Sequence, residues 1–153
     1  MKQETRFMPL TVGTTAPAFT AKDTNGNTVS LSDFAGKIVI LYFYPKDDTP
    51  GCTKQACSFR DAYSRYQGQD VVVLGVSKDD EESHQKFTEK YNLPFPLLAD
   101  VDGTIIKAYD VEGSSGYAQR VTYAIDGTGK IVHVDSSVKT DTHASDVLAA
   151  IGA

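Results

Sequence analysis

The chain has 153 residues, of which fifteen are basic and twenty acidic, for a formal net charge of −5 at pH 7. That length suits one domain, residues 1–153, with a single sizeable core, and that charge leaves no long-range pull toward nucleic acid or an anionic membrane. Two cysteines are too few for a secreted disulfide scaffold, and the opening MKQETRFMPLTVGTTAPAF lacks the apolar run of a signal peptide, so the expectation is a soluble cytoplasmic protein whose cysteines serve reactivity or packing.

Taken in chain order, residues 18–31 (AFTAKDTNGNTVSL) set Asn25-Gly26 between two short strand-like runs, and that dipeptide supplies the positive φ of a tight turn. An N-terminal hairpin follows. Residues 38–44 (IVILYFY) and 71–76 (VVVLGV) are continuous β-branched or aromatic runs, the pattern of central strands covered on both faces. Between them Cys52, Ala56, Phe59, Tyr63 and Tyr66 recur at helical spacing and share one face. Ser77 is placed to cap the next helix, whose acidic opening suits the positive end of the helix dipole, with Phe87 and Tyr91 pointing inward. FPLLAD then reads as a short strand, and Asp102 to Tyr109 as a short helix built on Ile105, Ile106 and Tyr109. Residues 121–125 and 131–134 flank the turn-rich DGTGK and should pair as an antiparallel hairpin, with a last helix from about His143. The sum is an α/β fold with a mixed sheet and helices on both faces.

Chemistry concentrates around Cys52. Pro50 and Gly51 end strand geometry, which puts Cys52 beyond the strand's C-terminal end and in the first turn of the following helix. Ligands of open α/β sheets bind there, and the N–H groups and positive dipole end of a helix favour thiolate over thiol. A lone cysteine is more often a small buried hydrophobe; Thr49, Pro50 and Gly51 shift the balance toward a nucleophile. Cys57 lies five positions on, about 140° around the helix and ~7.5 Å along it, so its side chain faces elsewhere, toward Asp61 and Ser64. Those dimensions separate the two Cα atoms by roughly 8–9 Å, beyond the ~7 Å limit for a disulfide, so a bridge between them requires the first helical turns to unwind. Otherwise Cys57 is an unrelated thiol. His84, His133 and His143 are isolated in sequence and read as surface or packing residues, and with no Gly-rich dinucleotide loop the expectation is neither metal nor flavin, with no cofactor needed.

The segment YPKDDTPGCTKQAC resembles the active site of peroxiredoxins of the Q type, the bacterioferritin comigratory proteins. Their Pro-x-x-x-Thr-x-x-Cys core is met by Pro45, Thr49 and Cys52, and the Cys-x-x-x-x-Cys spacing by Cys52 and Cys57. The likeness extends along the chain through VGTTAPAFTAKDTNGNTVSLSDFAGKIVILYFYP, VVVLGVSKDD and FPLLADVDG. It also places the family's arginine on Arg120, in QRVTYAIDGTGKI, although residues 110–119 match less well. The resemblance implies a thioredoxin-like fold with an N-terminal hairpin extension and a thiol peroxidase. Cys52 would be the peroxidatic cysteine and Cys57 the resolving one, joining in an intramolecular disulfide. Thr49 would bond thiolate and peroxide, Arg120 stabilise charge, and Pro45 shield the pocket. Thioredoxin would reduce the disulfide, with glutaredoxin or glutathione as other donors, and the subfamily is often monomeric. Two other readings share these residues: a thioredoxin-like disulfide reductase, which would normally use Cys-x-x-Cys, and a redox sensor whose disulfide alters a binding surface.

Overall fold

The computed structural model describes residues 9–113, 116–136, 138–140 and 142–151. Strands β1 (Thr20–Lys22) and β2 (Thr28–Ser30) pair antiparallel. Their loop is longer than a two-residue turn: the Asp23 carboxylate accepts the N–H groups of Asn25 and Asn27, while Gly26 takes φ +80°. The Asp side chain thus sets the loop, with Gly26 supplying the one left-handed step. A 3₁₀ turn at Leu31–Phe34 leads to β3 (Ile38–Phe43), α1 (Pro50–Gly68) and β4 (Val71–Ser77). Then come α2 (Glu81–Tyr91), β5 (Leu97–Ala99), α3 (Thr104–Ala108), the strands β6 (Val121–Ile125) and β7 (Ile131–Asp135), and α4 (His143–Ala150).

All seven strands join one sheet in the order β2-β1-β5-β4-β3-β6-β7. β4 runs parallel to both β3 and β5, and the remaining pairings are antiparallel. Burial on both faces explains the unbroken apolar runs. On β3, Val39, Leu41 and Phe43 enter the core shared with Ile105, Ile106 and Tyr109, whereas Ile40 and Tyr42 enter the core shared with Phe59, Tyr66, Val147 and Leu148. Period-two alternation therefore sends successive β3 residues to the α3 side and to the α1 and α4 side.

The cap of α2 differs from the expected one. Ser77 ends β4, where its hydroxyl donates to Asp79 at 2.7 Å; the α2 cap is Asp80, whose carboxylate accepts the Ser83 N–H at 2.9 Å. A carboxylate three residues later serves the same orphan donors with a full charge. On β4, Gly75 stands opposite Tyr42, and a β-carbon there would lie 2.8 Å from the Tyr42 Cζ and 2.7 Å from Leu97. The bare backbone lets the Tyr42 ring lean over the strand and stack on Phe59, with centroids 4.7 Å apart. Among the described residues, no helix is long and apolar enough to cross a membrane.

Candidate active site

The chain leaves β3 through Tyr44 and Pro45 and enters α1 at Thr49, the residue before the helix. Thr49 has extended backbone, and its carbonyl accepts the Thr53 N–H at 2.8 Å. Pro50 occupies the first helical position, where its missing N–H would have had no intrahelical acceptor. Cys52 is then the third helical residue, 1% exposed and packed in the core with Tyr42, Tyr44, Ala56 and Phe59. Helix N–H groups and the positive dipole end stabilise an anion at this position.

Arg120, immediately before β6, is brought to the same turn. Its Nη1 donates to the Gln55 Oε1 at 2.8 Å, and its Nη2 would stand 3.0 Å from a β-carbon on Gly51. The guanidinium therefore lies against the backbone just before Cys52, and a side chain at position 51 would have to displace it. Half-buried Thr49 donates its hydroxyl proton to the Lys46 carbonyl at 3.1 Å, folding the loop onto itself. Pro45 is half-buried on that loop. Cys57 is also half-buried, in the second turn of α1; both thiols are free and the helix runs unbroken through them. The structure thus gathers Thr49, Cys52 and Arg120 around one helix end and holds Cys57 on the same helix, at the separation helical geometry dictates.

Several residues at or behind the site escaped the sequence reading. Gln55 is fully buried one turn beyond Cys52; its oxygen fixes Arg120, while its Nε2 has no hydrogen-bond partner among the described residues. Its position three after Cys52 was the available signal, since i and i+3 share a face. The buried Tyr42 hydroxyl also lacks a partner among those residues. Burial first, then the negative field of Asp47 and of the cysteines, keeps this phenol protonated well above its ordinary range. His84 and His143 do pack inside, but in polar contact rather than alone: His84 Nδ1 is 2.7 Å from Asp47 Oδ2, and His143 Nε2 is 2.7 Å from Thr122 Oγ1. Among the described residues, no group of three or more His, Cys, Asp or Glu side chains is arranged to hold a metal.

The AhpC/TSA family model matches residues 12–134. The chain belongs to that family. Within it, this AhpC/TSA protein is 48% identical over 148 residues to the putative peroxiredoxin Bcp of Coxiella burnetii, a match spanning 92% of this chain and 98% of that one. Peroxidoxin BcpB of Mycobacterium tuberculosis superposes with a TM-score of 0.86 at 34% identity, covering 92% and 96% of the two chains. The bacterioferritin comigratory protein of Xanthomonas campestris does so with a TM-score of 0.83 at 32% identity, covering 88% and 90%. The fold is the thioredoxin-like α/β fold of peroxiredoxins, and the chain is a thiol peroxidase of the Bcp and Q type.

Proposed function

We propose that this peroxiredoxin reduces hydrogen peroxide and organic hydroperoxides at Cys52, resolves the product with Cys57, and is recycled by thioredoxin. The Cys52 thiolate attacks the terminal oxygen of ROOH; the O–O bond breaks, the sulfur becomes sulfenic acid, and the departing alkoxide leaves as ROH with a proton from solvent. Cys57 then attacks the sulfenic sulfur, forming a disulfide and releasing water. Two thiols of thioredoxin return both cysteines to the reduced state, with glutaredoxin or glutathione as alternative electron donors. The carrying observation is the Arg120 guanidinium against Gly51 at the α1 start, where a fixed cation offsets charge developing on the leaving oxygen. Thr49 serves the peroxide by turning its hydroxyl from Lys46, and Pro45 keeps water from the sulfur.

The Xanthomonas relative is described in terms of its alkyl peroxide reduction activity, which supports organic hydroperoxides as substrates here. The chain is read as one domain acting as a cytoplasmic monomer without nucleic-acid or membrane partners. A thioredoxin-coupled assay of peroxide consumption tests the reading. Rapid turnover is expected; insulin reduction without peroxide turnover would identify a reductase, and a single oxidation without turnover a sensor.

A further inference from the structure

Behind the Cys52 loop lies a buried polar cluster that the peroxide chemistry above does not use. Asp47, nearly buried, accepts the Tyr44 hydroxyl at 2.5 Å on Oδ1 and the Ser83 hydroxyl at 2.8 Å on Oδ2, and that second oxygen shares a 2.7 Å hydrogen bond with His84 Nδ1. The other His84 nitrogen, Nε2, donates to the Leu98 carbonyl at 3.0 Å. The Asp47 N–H donates to Asp79 Oδ2 at 2.8 Å, and that carboxylate oxygen is held in turn by Ser77. One side chain of the loop is thereby fixed to α2 through Ser83 and His84, and through His84 to the backbone of β5.

A buried Asp–His contact is weak evidence for stability, because an apolar pair of similar volume would join α2 to β5 at least as well. What an apolar pair would not do is fix the loop between β3 and α1. The next residue, Asp48, takes φ +59° and is held at the surface by Lys90 at 2.8 Å and the Tyr91 hydroxyl at 3.0 Å. An exposed contact of that kind holds position only weakly. The buried cluster is therefore the firm anchor on this stretch, placed between Pro45 and Thr49, and it sits two residues before Thr49 and five before Cys52.

We infer that Asp47 and His84 are positioning residues for the peroxide reaction: a latch from α2 and β5 that sets where Pro45 and Thr49 stand relative to the Cys52 sulfur. This rests on the peroxidase reading and adds residues that touch neither sulfur nor peroxide. Displacement of reacting groups by about 1 Å costs on the order of a hundredfold in rate, so a loosened latch should be visible in the peroxide step.

The test compares two reactions of Cys52 in the full-length protein. Competition with horseradish peroxidase for hydrogen peroxide gives the rate constant of the peroxide step, and alkylation by iodoacetamide, read at the Cys52 peptide by mass spectrometry, gives a reaction that needs no peroxide pocket. The near-isosteric Asp47→Asn and the His84→Leu variants should lower the peroxide rate constant on the order of ten- to a hundredfold, while Cys52 alkylation stays equal or rises. Ser83→Ala, which removes one rim hydrogen bond, should act in the same direction by less, and it decides the matter if circular dichroism shows the other two unfolded. A peroxide-to-alkylation ratio unchanged from wild type overturns the latch, as does a parallel fall in both rates, which would mean an effect on the thiol itself. A wild-type chain inert toward peroxide would overturn the peroxidase reading and the latch with it.

Discussion

Gln55 holds Arg120 beside the start of α1, and that hold can be tested at single residues. Gln55→Leu keeps the buried volume and removes an amide whose nitrogen has no partner among the described residues, but it leaves the guanidinium without its 2.8 Å acceptor. Cys52 oxidation by peroxide should slow while thermal stability holds or rises, because an unsatisfied buried donor costs about 1–3 kcal/mol. An unchanged peroxide rate constant would show that Gln55 does not orient Arg120. Arg120→Lys keeps the charge but loses the planar fork of donors, so it too should slow peroxide reduction, with less effect on reduction of the disulfide. Cys52→Ser should abolish activity, and substantial residual turnover would refute Cys52 as the nucleophile. The place of Cys52 in the first turn of α1 was legible in the sequence because Pro50 suits a first helical position and cannot continue the strand. Gln55 and Asp47 stayed hidden because a glutamine on a helix and an aspartate in KDD read as solvated groups. Only tertiary packing buries them.

At the scale of one element, α1 is intact around both thiols in the reduced state. Forming the Cys52–Cys57 disulfide must unwind its first turns, since an intact helix holds the Cα atoms roughly 8–9 Å apart. The structure also indicates where unwinding should stop. Ser58 Oγ accepts the Ala144 N–H at 3.0 Å, and the Tyr66 hydroxyl donates to the Ala144 carbonyl at 2.7 Å, so α4 grips the helix from Ser58 onward. Hydrogen exchange should therefore quicken on oxidation for the amides of Thr53 to Cys57 and change little beyond Phe59. Equal protection of Thr53 to Cys57 in both redox states would contradict an internal disulfide made by unwinding. Cys57→Ser should still undergo one oxidation at Cys52, with the sulfenic acid trapped by dimedone, but lose thioredoxin-driven turnover. A wild-type rate in that variant would remove Cys57 from the cycle. Helical periodicity made α1 and the placement of Cys57 legible in advance; the α4 clamp was not, because it joins residues 58 and 144 through the fold alone.

Over the whole molecule, the strands with unbroken apolar runs were the most legible, as were both hairpins, whose turn residues are local signals. The order β2-β1-β5-β4-β3-β6-β7 was not written in any one segment, since strand adjacency depends on which faces pair once the chain collapses. The cap of α2 was misplaced on Ser77 for a related reason: several candidate cap residues precede that helix, and backbone geometry chooses Asp80. Global stability should carry an acid-sensitive component from α4. Burial lowers the His143 pKa from 6.5 to about 4, against the opposing pull of Asp135. The folded chain keeps this ring neutral while the unfolded chain protonates it, so stability is lost as pH falls from about 6.5 toward about 4. The loss is on the order of 3 kcal/mol. Urea midpoints measured at neutral and mildly acidic pH should show this decline, and His143→Gln should flatten it; an identical pH dependence in the variant would assign the decline to other groups.

The empty place above Gly75 has a consequence for how the enzyme can evolve. The Tyr42 ring fits between β4 and Phe59 only because no β-carbon stands there, so Gly75 works as a spacer gauge for the gap between sheet and α1. Alanine at that position should push the ring outward and lift the helix that bears Cys52, detuning the enzyme from a strand that carries none of its reactive groups. The expected outcome is a slower peroxide step with the helical circular dichroism signal retained; an unaltered rate would show that the aromatic layer absorbs the methyl group.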